Sequence, residues 1–182
     1  DDVLTSMRRG YTNADYRNLV GRIRDSIPNV SLATDLIVGF PGETEAQFER
    51  SLEMVRDVRF DKVHVAAYSG RPGTIADRKL EDNVAAEEKA RRLKAIEMFQ
   101  EQVAAERNAE YLGQNVEVLI DGHRKGKWRG RTRTDKLVFV EDENALLGHM
   151  VNVHVARTSP WSLQGTLAPS PIKSSSMVGE GV

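Results

Sequence analysis

Thr34-Asp35-Leu36-Ile37-Val38-Gly39-Phe40-Pro41-Gly42-Glu43-Thr44 is the stretch that decides the fold. It completes a nearly continuous apolar run, Val30 to Phe40, of the kind found in a strand covered on both faces. Pro41-Gly42 stops the strand. Thr44 and Gln47 then form a capping-box pattern, in which each side chain satisfies a free backbone donor at the start of a helix. That helix carries Phe48, Leu52 and Val55 inward. Upstream, Tyr16, Leu19, Val20, Ile23 and Ile27 recur at helical spacing, which predicts a helix from near Asn13 to just before Pro28. Downstream, Asp61 to Tyr68 reads as a second buried strand, and Ser69-Gly70-Arg71-Pro72-Gly73-Thr74 as a loop. Val84 to about Leu112 reads as one long helix with Leu93, Ile96, Met98, Phe99 and Val103 at apolar positions and Gly113 placed to end it. Helices alternating with strands imply parallel strands joined by crossover helices. Two such strands do not make a stable sheet alone, so they read as part of a larger α/β assembly.

The pattern changes after Gly113. Gln114 to Ile120, Trp128 to Thr134, Lys136 to Glu141, Met150 to Thr158 and Trp161 to Thr166 are short, β-branched and partly alternating. Asp121-Gly122, Asp142 to Asn144 and Ser159-Pro160 punctuate them as turns. This is the pattern of a small antiparallel β-barrel. The expected fold class is therefore α/β plus all-β: residues 1–112 form part of a larger α/β assembly, residues 113–167 a small barrel, and the Ser-, Pro- and Gly-rich residues 168–182 a disordered tail.

Composition sets the outer bounds. A chain of 182 residues with 40% hydrophobic residues and a formal charge of -1 has enough apolar material for one domain or two small ones. It contains no cysteine, which excludes disulfides, thiolate metal sites and cysteine nucleophiles within it. His64, His123, His149 and His154 lack ligand spacing and read as ordinary surface histidines, so no metal site is expected. The longest apolar run, Leu36 to Phe40, is far too short to span a bilayer, and Asp1-Asp2-Val3-Leu4 lacks the features of a signal peptide. A soluble, cytoplasmic protein without a membrane partner is expected.

Strand alternation puts Leu36, Val38 and Phe40 on one face and Asp35, Ile37 and Gly39 on the other. An unpaired carboxylate inside a buried strand costs on the order of several kcal/mol. Asp35 is thus either a satisfied structural group or a site residue facing a ligand cavity. Gly39 and Gly42 clear side chains from the strand end where α/β proteins bind ligands. On the second strand Val63, Val65 and Ala67 suit the helix side, and His64, Ala66 and Tyr68 the cavity side. Tyr68 reads as packing or as part of the cavity mouth, and Arg71 as a solvated charge or an anion contact. In the barrel region Arg124, Lys125, Lys127, Arg129, Arg131, Arg133 and Lys136 crowd together, with Trp128 among them and Asp135 the lone acid. Arg129, Arg131 and Arg133 alternate onto one strand face. Such a stripe with an aromatic suits a nucleic-acid backbone and base stacking; the plainer alternative is a solvated strand.

Several segments carry a family resemblance in order and at sensible spacing: Met7-Arg8-Arg9-Gly10-Tyr11-Thr12, then Thr34 to Thr44, Phe60-Asp61, and Tyr68 to Thr74. Gly130-Arg131-Thr132-Arg133-Thr134-Asp135-Lys136 and Trp161-Ser162-Leu163-Gln164-Gly165 complete the set. Together they resemble the radical S-adenosylmethionine methylthiotransferases over residues 1 to about 167. Within that family they look most like the tRNA enzymes that make 2-methylthio-N6-isopentenyladenosine. The resemblance implies three domains: an N-terminal methylthiotransferase domain, a central radical-SAM partial (β/α) barrel, and a C-terminal TRAM domain that binds RNA. This chain resembles the end of the barrel plus TRAM, with Val3 matching a point just after the fourth barrel strand.

The cofactors so implied are S-adenosylmethionine and two [4Fe–4S] clusters, whose cysteine ligands, a CxxxCxxC motif among them, this chain lacks. Implied for the intact enzyme are a radical formed from S-adenosylmethionine, hydrogen abstraction at C2 of a modified adenosine beside the anticodon, sulfur delivery from the second cluster, and methyl transfer from a second S-adenosylmethionine. The cysteine-free chain alone is expected to be inactive and to hold no catalytic residue. Motif by motif, Gly39 and Glu43 match the turn that lies against S-adenosylmethionine; Tyr68, Ser69 and Arg71 match the loop lining the same mouth, and Asp35 a polar lumen position. Arg9 and Tyr11 match the substrate entrance. Lys127, Trp128, Arg129, Arg131, Arg133 and Lys136 are the expected RNA contacts. The expected partner is tRNA, and the intact enzyme is expected to be monomeric. The threonylcarbamoyladenosine methylthiotransferases share Thr34-Asp35 and Arg71-Pro72-Gly73-Thr74, so they remain an alternative, as does a non-catalytic RNA-binding module.

Overall fold

The computed structural model describes residues 1–169, which fall into two compact units: Asp1–Glu110 with Ser159–Trp161, and Tyr111–Thr158 with Ser162 onward. From residue 170 the expected disordered tail lies outside the described residues.

The first unit runs α1 (Asp2–Ser6), α2 (Asn13–Ser26), β1 (Ala33–Val38), α3 (Glu45–Val58), β2 (Lys62–Ala67), α4 (Ile75–Lys79) and α5 (Ala86–Ala109). Local chemistry starts the helices. Thr12 and Asp15 exchange hydrogen bonds ahead of α2, and Thr44 and Gln47 do so ahead of α3, as the sequence predicts. The α3 stripe Phe48, Leu52, Val55 and Val58 packs with Val38, Phe60, Val63 and Ile96 into one core. β1 and β2 are parallel and form a two-stranded sheet, with Asp35 beside His64 and Ile37 beside Ala66.

The strands were expected to be covered on both faces, and they are covered on one. Leu36, Val38, Val63 and Val65 face the helices, whereas Ala33, Asp35, Ile37, His64 and Ala66 are exposed. No further layer packs on that side within the described residues. Two other differences concern helices. α4 is an added short helix where a loop was expected, started by Thr74 accepting from the Asp77 amide. α5 stops at Ala109, short of Gly113. Gly113 instead leads into the barrel, where its amide donates to the Val155 carbonyl at 2.8 Å. Met98, expected inside, is 62% exposed. The buried face of α5 is partly polar, with Lys89, Arg92, Gln100 and Asn108 alongside Ile96 and Val103.

The second unit contains β3 (Asn115–Arg124), β4 (Lys127–Thr132), β5 (Leu137–Val140), β6 (Met150–Thr158) and β7 (Leu163–Leu167). They close into a barrel in the order β3-β4-β5-β7-β6, with β6 pairing back onto β3. The expectation of a wholly antiparallel barrel is corrected: β5 and β7 run parallel. Five strands are an odd number, so directions cannot alternate all the way round a closed ring, and one neighbouring pair must be parallel. Val118, Ile120, Val138, Val140, Val153, Val155 and Leu163 fill the interior. β3 does not turn at Asp121-Gly122 but passes through a bulge there and turns at Lys125-Gly126, both at positive φ (51° and 79°). Gly130 and Gly165 sit where strands approach closely: a Cβ would strike the Leu119 carbonyl at Gly130 and the His154 carbonyl at Gly165. No helix among the described residues is long and apolar enough to cross a membrane.

Candidate functional site

Two constellations hold the residues singled out by the sequence. The first is built around the C-terminal end of β1. Gly39 has a φ of 69°, and the stem of Lys89 fills the space a side chain would need. The Gly39 amide donates to Glu43 Oε2 at 2.5 Å. Glu43 is buried and meets the Arg92 guanidinium at 2.8 Å, while its carbonyl accepts from the same nitrogen at 3.0 Å. Arg92 also reaches Glu88 at 2.6 Å and Glu45 at 3.3 Å. Burial works against the Arg92 charge, but hydrogen bonds to Glu88 and Glu43 outweigh it and leave its pKa raised. The β1–α3 turn is thereby tied to the first turns of α5. Lys89 adds a second tie, pairing with Asp82 at 2.6 Å and donating to the Tyr68 carbonyl at 3.4 Å. Tyr68 stands edge-on to Phe40 with ring centroids 5.1 Å apart. Gly42 donates to Asn83 Oδ1 at 2.7 Å.

Glu88 makes this network sensitive to acid. Hydrogen bonding from Arg91, aided by Arg92, lowers its pKa from 4.5 to about 2. A depressed folded-state value means stabilisation that is fully present above the unfolded value and lost as pH falls from there through about 2. The urea midpoint of the α/β unit is expected to fall between pH 4.5 and 2 by more in the parent than in Glu88→Gln, and less so in high salt because the side chain is partly open to solvent. Equal falls would remove Glu88 from the account.

The other residues expected at this end are distributed unevenly. Arg9, Tyr11, Asp35 and Glu43 share one cavity of about 220 Å³, with Gln47 and Phe60 also in its wall. Gly39, Tyr68, Ser69 and Arg71 do not line it. Tyr11 is exposed and tilted against Tyr16 with centroids 6.0 Å apart. Ser69 and Arg71 are exposed, and the Arg71 carbonyl accepts from the Thr74 hydroxyl at 2.9 Å. Sequence reasoning missed Lys89, Arg92, Asp82 and Asn83. A signal existed for the first two: Lys89, Arg92 and Gln100 occupy the helical spacing of Ile96 and Val103, so charged residues stand where an apolar stripe should continue.

The second constellation is the outer face of the barrel. Arg129 and Arg131 lie side by side on β4, and Arg133 follows just past its end. Each is paired: Arg129 with Asp121 at 2.8 Å, Arg131 with Asp135 at 3.3 Å, and Arg133 with Glu117 at 2.5 Å. Lys127 pairs with Glu141 at 2.7 Å, which lowers the Glu141 pKa through that hydrogen bond. The Lys136 amide donates to the Thr132 hydroxyl at 3.0 Å. Trp128 is half-buried, donates its indole N–H to the Asp142 carbonyl at 3.1 Å, and meets His123 edge-on at 4.8 Å. Among the described residues no three His, Asp or Glu side chains are grouped to hold a metal ion.

Comparison with known proteins gives relatives for most of the chain. The TRAM domain family matches residues 109–168. A tRNA-2-methylthio-N(6)-dimethylallyladenosine synthase from Herpetosiphon aurantiacus is 56% identical over 170 residues, covering 92% of this chain and 39% of that protein. Proteins of the same name from a Roseiflexus species and from Chloroflexus aurantiacus are 54% and 52% identical, and this chain covers 36% of each. One solved structure, a multidomain protein with nucleic acid binding domains from Streptococcus pneumoniae, matches 32% of this chain and 23% of its own at 18% identity and a TM-score of 0.28, too low a likeness to carry weight. The chain spans about two fifths of the length of the curated relatives it matches. It is therefore a homologue, over about nine-tenths of its length, of the C-terminal part of the proteins named tRNA-2-methylthio-N(6)-dimethylallyladenosine synthase, and it carries a TRAM domain.

Proposed function

We propose that this chain serves a radical-SAM tRNA methylthiotransferase that places a methylthio group on C2 of N6-isopentenyladenosine next to the anticodon. Residues 1–112 supply the last part of the partial (β/α) barrel, and residues 113–167 grip the tRNA. The observation that carries this reading is the 56% identity over 170 residues, 92% of the chain. The exposed β1–β2 face agrees with it, since a sheet bare on one side and two strands wide is what part of a larger barrel looks like. The proposed enzyme works in the cytoplasm as a monomer.

The cluster ligands of the family are cysteines. This chain has none, so the residues present do not fit a [4Fe–4S] cluster and no step through one is assigned to them. S-Adenosylmethionine fits better. Asp35, Ser69 and Arg71 are exposed and their side chains are held by no neighbour among the described residues, leaving an acid, a hydroxyl and a base for its amino-acid and ribose groups. Glu43 and Gly39 are already bonded to each other, so their proposed part is to fix the turn beneath the ligand. When bound, S-adenosylmethionine supplies the methyl group and the radical source. This chain's own residues would hold it and keep water away.

The test is made on tRNA from cells lacking the gene. Mass spectrometry of the nucleosides should show the 2-methylthio derivative of N6-isopentenyladenosine gone and N6-isopentenyladenosine accumulated. If the derivative persisted while a methylthiolated threonylcarbamoyladenosine vanished, the alternative substrate would replace this one.

A further inference from the structure

The seven basic residues of the barrel are not equivalent. Arg129, Arg131, Arg133 and Lys127 each carry an acid of their own, namely Asp121, Asp135, Glu117 and Glu141. A phosphate arriving at the stripe meets as many negative charges as positive ones. It must also displace a carboxylate that stays within a few ångströms and repels it. Arg124 and Lys125 differ. They form the tip of the β3–β4 hairpin, beyond the His123–Trp128 pair, and β5 ends opposite Trp128 rather than reaching them. Both are exposed, and neither pairs with a carboxylate among the described residues. The acids around the base of the tip are occupied: Asp121, the nearest in sequence, by Arg129, and the two that follow Val140 opposite Trp128, Glu141 by Lys127 and Asp142 by the amide and side chain of Asn144. Small barrels of this five-stranded type bind oligonucleotides on their second and third strands and on the loop joining the first two, which here is this tip.

We infer that RNA phosphates are bound at the hairpin tip by Arg124 and Lys125, and that the arginine stripe of β4, neutralised by Asp121, Asp135 and Glu117, is held in check by those acids rather than supplying the main charge. The inference rests on the RNA-binding reading above. In consequence the acids act as a brake: removing them should strengthen RNA binding, although they touch no RNA themselves.

Three forms of the whole chain are titrated with tRNA across a range of salt. Arg124→Gln/Lys125→Asn, with asparagine chosen for the positive φ at Lys125, should reduce the slope of log K against log salt by about 1.4, the loss of two phosphate contacts on a single strand. Arg129→Gln/Arg131→Gln/Arg133→Gln should change it by less than half of that. Glu117→Gln/Asp121→Asn/Asp135→Asn should bind more tightly than the parent, with a steeper slope, because it frees three arginines. Trp128 fluorescence, read with Trp161→Phe in every form, confirms that each variant keeps the folded barrel. A stripe variant that loses more slope than the tip variant overturns the inference, and so does an amide variant that binds no better than the parent. Failure of the parent chain to bind tRNA at low salt would instead sink the RNA-binding reading, and this inference with it.

Discussion

Replacing Arg92 with Ala is expected to destabilise the α/β unit by about 3–5 kcal/mol, the usual cost of removing one partner of a buried ion pair. The size follows from what the guanidinium leaves behind. Glu43 stays buried, with its carboxylate bonded to the Gly39 amide but stripped of its counter-charge. Glu88 and Glu45 lose a partner as well, though both retain Arg91. The helices belong to the first unit, so the far-UV helical signal reports its unfolding by urea, while Trp128 in the second, left as the sole tryptophan by Trp161→Phe, reports the barrel. The α/β transition should move to lower urea and the barrel transition should not. Arg92→Lys should recover part of the loss, because a single ammonium cannot reach all three acids. An Arg92→Ala protein with an unmoved α/β transition would show that the Glu43 carboxylate finds solvent instead.

Gly165→Ala is the second large effect, and it falls on the other unit. The new methyl would point at the His154 carbonyl, a backbone atom that cannot rotate away. β7 can accommodate it only by moving off β6, which breaks the Val155–Gly165 pairing in the middle of the ladder. Overpacking of this kind costs about 3 kcal/mol or more when a backbone must give way. For a unit of this size that corresponds to a fall in Tm of at least about 12 °C. Thermal unfolding followed by Trp128 fluorescence, with Trp161→Phe in every form, measures it. A Thr166→Ala control one residue away, at an exposed outward position, should leave Tm nearly unchanged; equal shifts in the two would deny the close approach its importance.

Local signals were legible in the sequence and distant ones were not. The α3 start could be read because both members of the capping box lie within four residues of each other. The strand alternation placing Asp35 and Ile37 opposite Leu36 and Val38 could be read for the same reason. The charge of Arg92 at a buried helical spacing could be read, but its pairing with Glu43 could not, because the two are 49 residues apart and nothing local joins them. The neutral arginine stripe was hidden in a similar way. A window along β4 sees only Asp135, whereas Asp121 and Glu117 come from the neighbouring strand and meet the arginines only once the register is set. Continuous hydrophobicity from Val30 to Phe40 suggested cover on both faces. It reports what a strand is suited to rather than what surrounds it, and the face carrying Asp35 and Ile37 is open. The turn expected at Asp121-Gly122 failed for a further reason: an Asp-Gly pair serves a bulge as readily as a hairpin end.

The order of the barrel strands also has a consequence in time. β7, the last of the barrel strands to be made, lies between β5 and β6 and bonds to both. Until Leu163 to Leu167 leave the ribosome, the ring cannot close, and two strand edges stand open on the nascent chain. Synthesis from the N-terminus therefore leaves the barrel waiting on its final five residues, and a pause in translation just before Leu163 would hold it in its most association-prone form.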